Sequence, residues 1–457
     1  MVLVVMSAVW LVVAGLLGVL AAVKLHAPGM LADHAWLTYG RVQPAAWNAF
    51  VFGFATPAGL AMALWMTARM SAAPLVGGGV VILGALLWNI GLKLGMWGIL
   101  AGETTGFEGL ELPRYASPVL LAGYLLIAPW AFLTYDRRAE RESYISQWYL
   151  LAALLVFPWA FAAGHMGTSF LPLRGVLQAA VQAWYLQNLY SLWLGGLGLA
   201  AVFYVIPKVT GAAIPSRNLA LLGFWSLVTF GGLGGLTRYS GGPFPAWMIS
   251  IAVVAGGFGL FPVVAVGVNA FGALRGQAGR VRSHPVLWFG VTALVVFLAA
   301  GVLSAINSLA SVRHLTQFTL VGPGLDQLTA VGFCAMALFG VLYFMVPRLT
   351  GIDWVVPGLV RLHFFLGAGG AMLIALVSLP GGVWQGLALN DPDLSFLAVV
   401  RRCLPFVSAG TLAQLILLFG SLVFALSLLM VLAAAARRAW VPSVRQWVAP
   451  VASEVKA

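Results

Sequence analysis

Apolar runs of about twenty residues recur from one end of this 457-residue chain to the other, and that recurrence restricts its fold most. A helix of that length crosses the hydrocarbon core of a bilayer, where every backbone polar group must find its partner inside the same segment. Twelve spans are expected, at about 3–24, 46–67, 74–98, 116–134, 147–164, 180–206, 219–239, 246–270, 286–308, 326–347, 360–379 and 405–434. Composition agrees: 62% of residues are hydrophobic and 8% charged, whereas soluble domains carry about a quarter charged residues. The fold class is an all-α polytopic membrane protein. It forms a single transmembrane domain over 1–457, with an outer-side loop near 381–405 and a short cytoplasmic tail at 435–457. The first run, 2–23, is read as a retained helix rather than a cleaved leader.

A net charge of +12 raises nucleic acid as a partner, but the basic residues are spread one to four per loop, which is the pattern of membrane topology. Odd-to-even connections carry eight Lys and Arg, from Lys24 to Arg402. Even-to-odd connections and the tail carry fifteen, including Arg69, the cluster Arg137, Arg138 and Arg141, and Arg445 and Lys456. Both termini are therefore expected in the cytoplasm, with lipid around the bundle and no nucleic acid as partner. Two cysteines, Cys334 and Cys403, exclude a disulfide scaffold, a thiolate cluster and CxxCH attachment of heme c.

Heme or copper inside a bundle requires imidazoles at mid-helix depth. The six histidines are His26, His34, His165, His284, His314 and His363. Five are expected in loops or at span ends and the sixth near the start of the eleventh span, with no HxH or HH pair. Lys93 is the conspicuous intramembrane charge, one turn after Asn89. It either marks a proton or ion route or snorkels to the nearer interface. Arg238 follows the glycine-rich 231–235 and is expected as an interfacial anchor, with the glycines admitting close helix contact. Gln187, Asn188, Asp326 and Gln327 are polar residues on apolar segments. They form either a hydrogen-bonded cluster or a hydrated pocket. The pattern Pro207-Lys208-Val209-Thr210-Gly211 recurs as Pro347-Arg348-Leu349-Thr350-Gly351, and each proline is expected to end its span.

With these segments in view, the chain resembles subunit I of the cbb3-type cytochrome c oxidases and, by extension, the nitric oxide reductase large subunit, both within the heme-copper oxidase superfamily. The resemblance rests on Leu37-Thr38-Tyr39-Gly40-Arg41 with Pro44 and Asn48, on Trp184-Tyr185 with Asn188, and on Tyr204-Val205-Ile206-Pro207-Lys208. Phe224-Trp225-Ser226-Leu227, His314-Leu315-Thr316, and Gly340-Val341-Leu342-Tyr343 followed by Val346-Pro347-Arg348-Leu349 extend it. It covers nearly the whole chain and implies a twelve-helix bundle in the bacterial inner membrane, within a respiratory complex.

The departures fall at the metal ligands that the resemblance implies. Trp47 stands where the family has a low-spin heme histidine, and Gln187 where it has a copper histidine. Thr237 and Arg238 replace two adjacent copper histidines, and Leu325 and Gln327 replace the HxH pair that ligates the two hemes. No cofactor is therefore expected in this chain and no residue is expected to be catalytic, whereas heme c is expected in partner subunits. The preferred reading is a non-catalytic, heme-free scaffold for cytochrome c-type membrane-anchored subunits and other respiratory subunits. A second reading is a proton- or cation-translocating subunit using Lys93, Asn89, Gln187, Asn188 and Asp326. A third is an oxidase or nitric oxide reductase with atypical ligation. Bulky side chains such as Trp47 and Leu325 are expected to fill part of the space that porphyrin would take.

Overall fold

A computed structural model describes residues 1–75, 77–139, 142–171 and 173–448, with side chains up to Arg438. Arg141, Lys456, the Arg445 side chain and the end of the 435–457 tail, all used in the topology argument, lie outside the described residues.

Among the described residues, eleven helices are long and apolar enough to span a bilayer. They are α1 (Val2–His26), α2 (Tyr39–Met70), α3 (Gly78–Ala101), α4 (Ala116–Asp136), α5 (Ile145–Phe170) and α6 (Val176–Thr210), then, after a gap in this series, α8 (Ala246–Leu274), α9 (Pro285–Ser308), α10 (Val321–Thr350), α11 (Pro357–Leu389) and α12 (Phe396–Arg438). The gap is the seventh expected span. It is a shorter helix, α7 (Arg217–Phe230), followed by a separate 3-10 segment at Gly234–Tyr239. Gly231 and Gly232 break it.

Two further expectations change. The segment 381–405, expected as the longest outer loop, is mostly helix: α11 continues through Pro380 to Leu389 and α12 begins at Phe396, leaving 390–395 as the loop. Proline and paired glycines read as a stop, yet a helix in lipid accommodates them because neighbouring helices cover the weakened turn. Here a Cβ on Gly382 would lie 2.4 Å from the Val321 nitrogen, so the glycine serves contact rather than termination. Likewise Pro207 and Pro347 do not end their helices. Each lies inside its helix, and the end comes one turn later at Gly211 and Gly351. Both glycines are left-handed, at φ 71° and 68°, and each donates its N–H to the proline carbonyl at 2.8 Å, a glycine C-cap.

Helices α2, α6 and α10 form the centre of the bundle, with most of their residues buried, whereas fewer than half are buried in each of the other spans. One hydrophobic cluster runs through the molecule, from Leu3 to Val431. Each central helix contains a π-helical stretch: Ala49–Ala55 in α2, Leu189–Leu194 in α6 and Leu328–Ala335 in α10. A fourth, Met166–Phe170, ends α5. The three central stretches begin one or two residues after Trp47, Gln187 and Gln327. Such widened turns expose an extra carbonyl and gather at functional positions.

Candidate functional site

The six residues standing at expected ligand positions separate into two cavities. Gln187, Thr237, Arg238 and Leu325 line the first, of about 230 Å³. Trp47 and Gln327 line the second, of about 310 Å³, between α1, α2, α10, α11 and α12. An aromatic layer stands between them: the Trp47 ring lies 5.7 Å from Phe50 and 5.9 Å from Tyr190. The Trp47, Phe50 and Tyr190 rings thus pack against one another, and two cavities remain beside them.

The first cavity holds an ion pair. Arg238 Nη2 donates to Asp326 Oδ1 at 2.7 Å and Nη1 to Oδ2 at 3.0 Å, a bidentate geometry. Both side chains are largely buried, at 24% and 16% exposed. Arg238 is therefore an interior charge and not the interfacial anchor expected from its place at a span end. It arrives there because the glycine segment lies directly on α6: a Cβ on Gly235 would meet the Ala183 carbonyl oxygen at 2.3 Å. The guanidinium also lies 5.7 Å from the Tyr190 ring centre.

The other groups are engaged with the backbone. Gln187 Nε2 donates to the Gly231 carbonyl at 2.8 Å, and Thr237 Oγ1 to the Gly234 carbonyl at 2.8 Å. Asn188 Nδ2 donates to the Trp184 carbonyl one turn back. In the second cavity Gln327 Oε1 accepts from Gln414 Nε2 at 3.2 Å. Gln187, Asn188, Asp326 and Gln327 therefore each have a separate partner rather than bonding to one another, and Gln187 and Asp326 face one cavity while Gln327 faces the other.

Lys93 and Asn89 do not join these groups. Neither lines either cavity. Lys93 is exposed on α3, and Asn89 Oδ1 accepts from Trp10 Nε1 at 2.9 Å. The five residues named for a translocation route are thus brought together only in part: Gln187 and Asp326 share a cavity, Asn188 adjoins it, and the α3 pair lies elsewhere.

These side chains do not fit heme iron or copper. Leucine has no donor atom, the Trp47 indole nitrogen carries a proton, and the Arg238 cation is saturated by Asp326. No group of three or more His, Cys, Asp or Glu able to hold a metal occurs among the described residues. The two most buried histidines are each hydrogen-bonded within the protein: His363, which also lines the second cavity, meets the Tyr343 hydroxyl through Nδ1 at 2.8 Å, and His165 Nδ1 meets the Phe161 carbonyl at 2.9 Å.

Besides Lys24, which is 5% exposed, two buried ionisable residues were not singled out in the sequence, where they read as outer-loop charges. Glu111, in the α3–α4 connection, is only 5% exposed. It accepts from Asn48 Nδ2 at 3.0 Å. Burial pushes its carboxyl up to about 7, opposed by the Asn48 hydrogen bond and by backbone N–H groups. The available signal is its position between Leu110 and Leu112, both fully buried. The other is Arg313, 9% exposed, whose Nε donates to the Thr237 carbonyl at 3.0 Å.

Comparison with known proteins matches residues 1–416 to the family described as cytochrome c and quinol oxidase polypeptide I. The chain belongs to that family. It is 26% identical over 400 residues to the cbb3-type cytochrome c oxidase subunit CcoN1 of Stutzerimonas stutzeri, covering 85% of this chain and 84% of that one. It is 25% identical over 452 residues to a cytochrome c oxidase subunit 1 homolog of Azorhizobium caulinodans, covering 92% and 79%. Among solved structures, a heme-copper terminal oxidase dimer superposes with a TM-score of 0.75 at 15% identity, over 95% of this chain and 83% of that one, which shows the shared fold. Membership in the oxidase polypeptide I family makes the chain a membrane component of respiratory electron transport. Within the family fold, it is at the interior positions named above that this chain carries the side chains just described.

Proposed function

We propose that this chain is a heme-free member of the oxidase polypeptide I family. It serves as a membrane scaffold for cytochrome c-type subunits of a bacterial respiratory complex, and those subunits carry the redox centres. The observation that carries the proposal is the Arg238–Asp326 pair. Two positions where the resemblance implies copper imidazoles hold a threonine bonded to its own backbone and an arginine bound bidentately by a carboxylate. A fixed cation opposes binding of a metal cation at the same place. Retention of the central three-helix packing, with its π-helical stretches, supports a role that depends on shape. Docking on the outer face, with both termini in the cytoplasm, belongs to the same proposal and follows from the loop charges.

Gentle detergent extraction of the tagged chain from its native membrane, followed by identification and spectroscopy of the subunits that accompany it, tests the proposal. Polypeptides with covalently bound heme c are expected to co-purify stoichiometrically. Recovery of the chain with no c-type cytochrome in the preparation contradicts it.

A further inference from the structure

The first cavity holds two arginines, and only one of them has a counter-ion. Arg238 is bound at both terminal nitrogens by Asp326. Arg313 is 9% exposed, yet its one hydrogen bond to a described group is from Nε to the Thr237 carbonyl. The residue lines the cavity, and its two terminal amino groups, with four N–H donors between them, have no protein acceptor among the described residues. Asp326 influences Arg313 only at a distance, and Arg238 repels it. Together with burial, that repulsion holds the guanidinium below its ordinary range. Glu108 acts on Asp326 and Arg238 and is not among the groups acting on Arg313. A buried cation without acceptors carries a large desolvation cost, and buried polar groups in folded proteins are nearly always satisfied.

The same cavity wall carries two further donors alongside the Arg238-bound Asp326 carboxylate. Asn307 and Ser304 line it. The Asn307 carbonyl oxygen is taken by the Thr316 hydroxyl at 2.6 Å, which leaves its amide nitrogen available. Arg313 also sits in a short helix, Ala310–Thr316, between the end of α9 and the start of α10.

We propose that this cavity binds an oxyanion of the phosphate type, either free inorganic phosphate or the headgroup phosphate of an anionic lipid. The Arg313 fork grips two of its oxygens, and Asn307 and Ser304 supply further donors. Planar guanidinium donors match phosphate oxygens bidentately, and the cavity of about 230 Å³ admits a compact group. The site is independent of whether the chain acts as a scaffold.

Thermal unfolding of the purified full-length chain tests it, in a low-salt buffer free of phosphate. One arm adds inorganic phosphate, with chloride at matched ionic strength as control. A second compares nanodiscs of phosphatidylcholine alone with nanodiscs containing phosphatidylglycerol. Saturable stabilisation by phosphate identifies a soluble ion, stabilisation confined to phosphatidylglycerol identifies a lipid headgroup, and both support the site. Arg313→Gln is expected to weaken the apparent affinity about tenfold or more, the loss of a charge-assisted hydrogen bond. Because that change also removes the bond to Thr237, Ser304→Leu is the second variant. It fills the cavity wall while leaving Arg313 intact, and it is expected to reduce the effect as well. No stabilisation in either arm, or stabilisation undiminished in both variants, overturns the proposal.

Discussion

At Asp326, removing one charge has a calculable consequence. Asp326→Asn leaves Arg238 largely buried without its carboxylate, and the expected loss is about 2 kcal/mol, at the low end for such pairs because both groups keep some exposure. Replacing both, as Arg238→Met with Asp326→Asn, is expected to lose less than the two single changes together. Thermal unfolding of the four proteins measures this coupling, and strictly additive losses contradict a direct pair. Glu111 supplies a pH signature. Its folded value, about 7, lies above the ordinary 4.5, so the stability it contributes is complete below about 4.5 and lost as pH rises through 7. Glu111→Gln keeps an acceptor for Asn48 and removes that loss. The variant is expected to match the native chain near pH 4 and to exceed it at pH 8 by up to about 3 kcal/mol. A gap independent of pH contradicts the assignment. At this scale the sequence was legible by side-chain chemistry and not by depth. The missing imidazoles are visible as letters. The burial of Arg238, Arg313 and Glu111 is not, because a charge near a span end is read as facing water unless its partner, far along the chain, is known.

Among the elements, the spans were legible because apolar length dictates them. The interruptions were not, because their outcome depends on the neighbouring helix. Pro380, Gly381 and Gly382 carry the same local signal as Gly231 and Gly232, yet α11 continues and α7 breaks. In α11 Gly382 receives the backbone at the start of α10 and Gly381 the Phe406 side chain of α12, and at Gly386 an added Cβ would lie 2.0 Å from the Leu315 carbonyl oxygen. Gly386→Ala is therefore expected to destabilise the chain by about 1–3 kcal/mol, as overpacking against backbone does. On the same helix nothing lies within 4 Å of a Cβ at Gly369, so Gly369→Ala is expected to be neutral or slightly stabilising. Equal effects on unfolding temperature would contradict the contact assigned to Gly386. The π-helical stretches were not legible either: they are a property of how α2, α6 and α10 share the bundle centre, and no residue type announces them.

For the molecule as a whole, the family fold and the altered interior lead to separate expectations. The orientation rests on loop charges, so a cysteine introduced at Asp391, between α11 and α12, is expected to react with an impermeant thiol reagent from outside intact cells. One introduced at Arg217, the first residue of α7, is expected to react only after the membrane is opened. The native Cys334 and Cys403 are buried and give little background. Labelling in the reverse order contradicts the topology. The central claim is that an oxidase-shaped bundle has exchanged its iron and copper ligands for an ion pair, backbone-bonded polar groups and packed aromatics. The most direct measurement is the absorption spectrum and metal content of the isolated chain, purified from cells that make heme and are supplied with copper. The account predicts no Soret band and neither iron nor copper in stoichiometric amount, whereas one heme or one copper per polypeptide would contradict it.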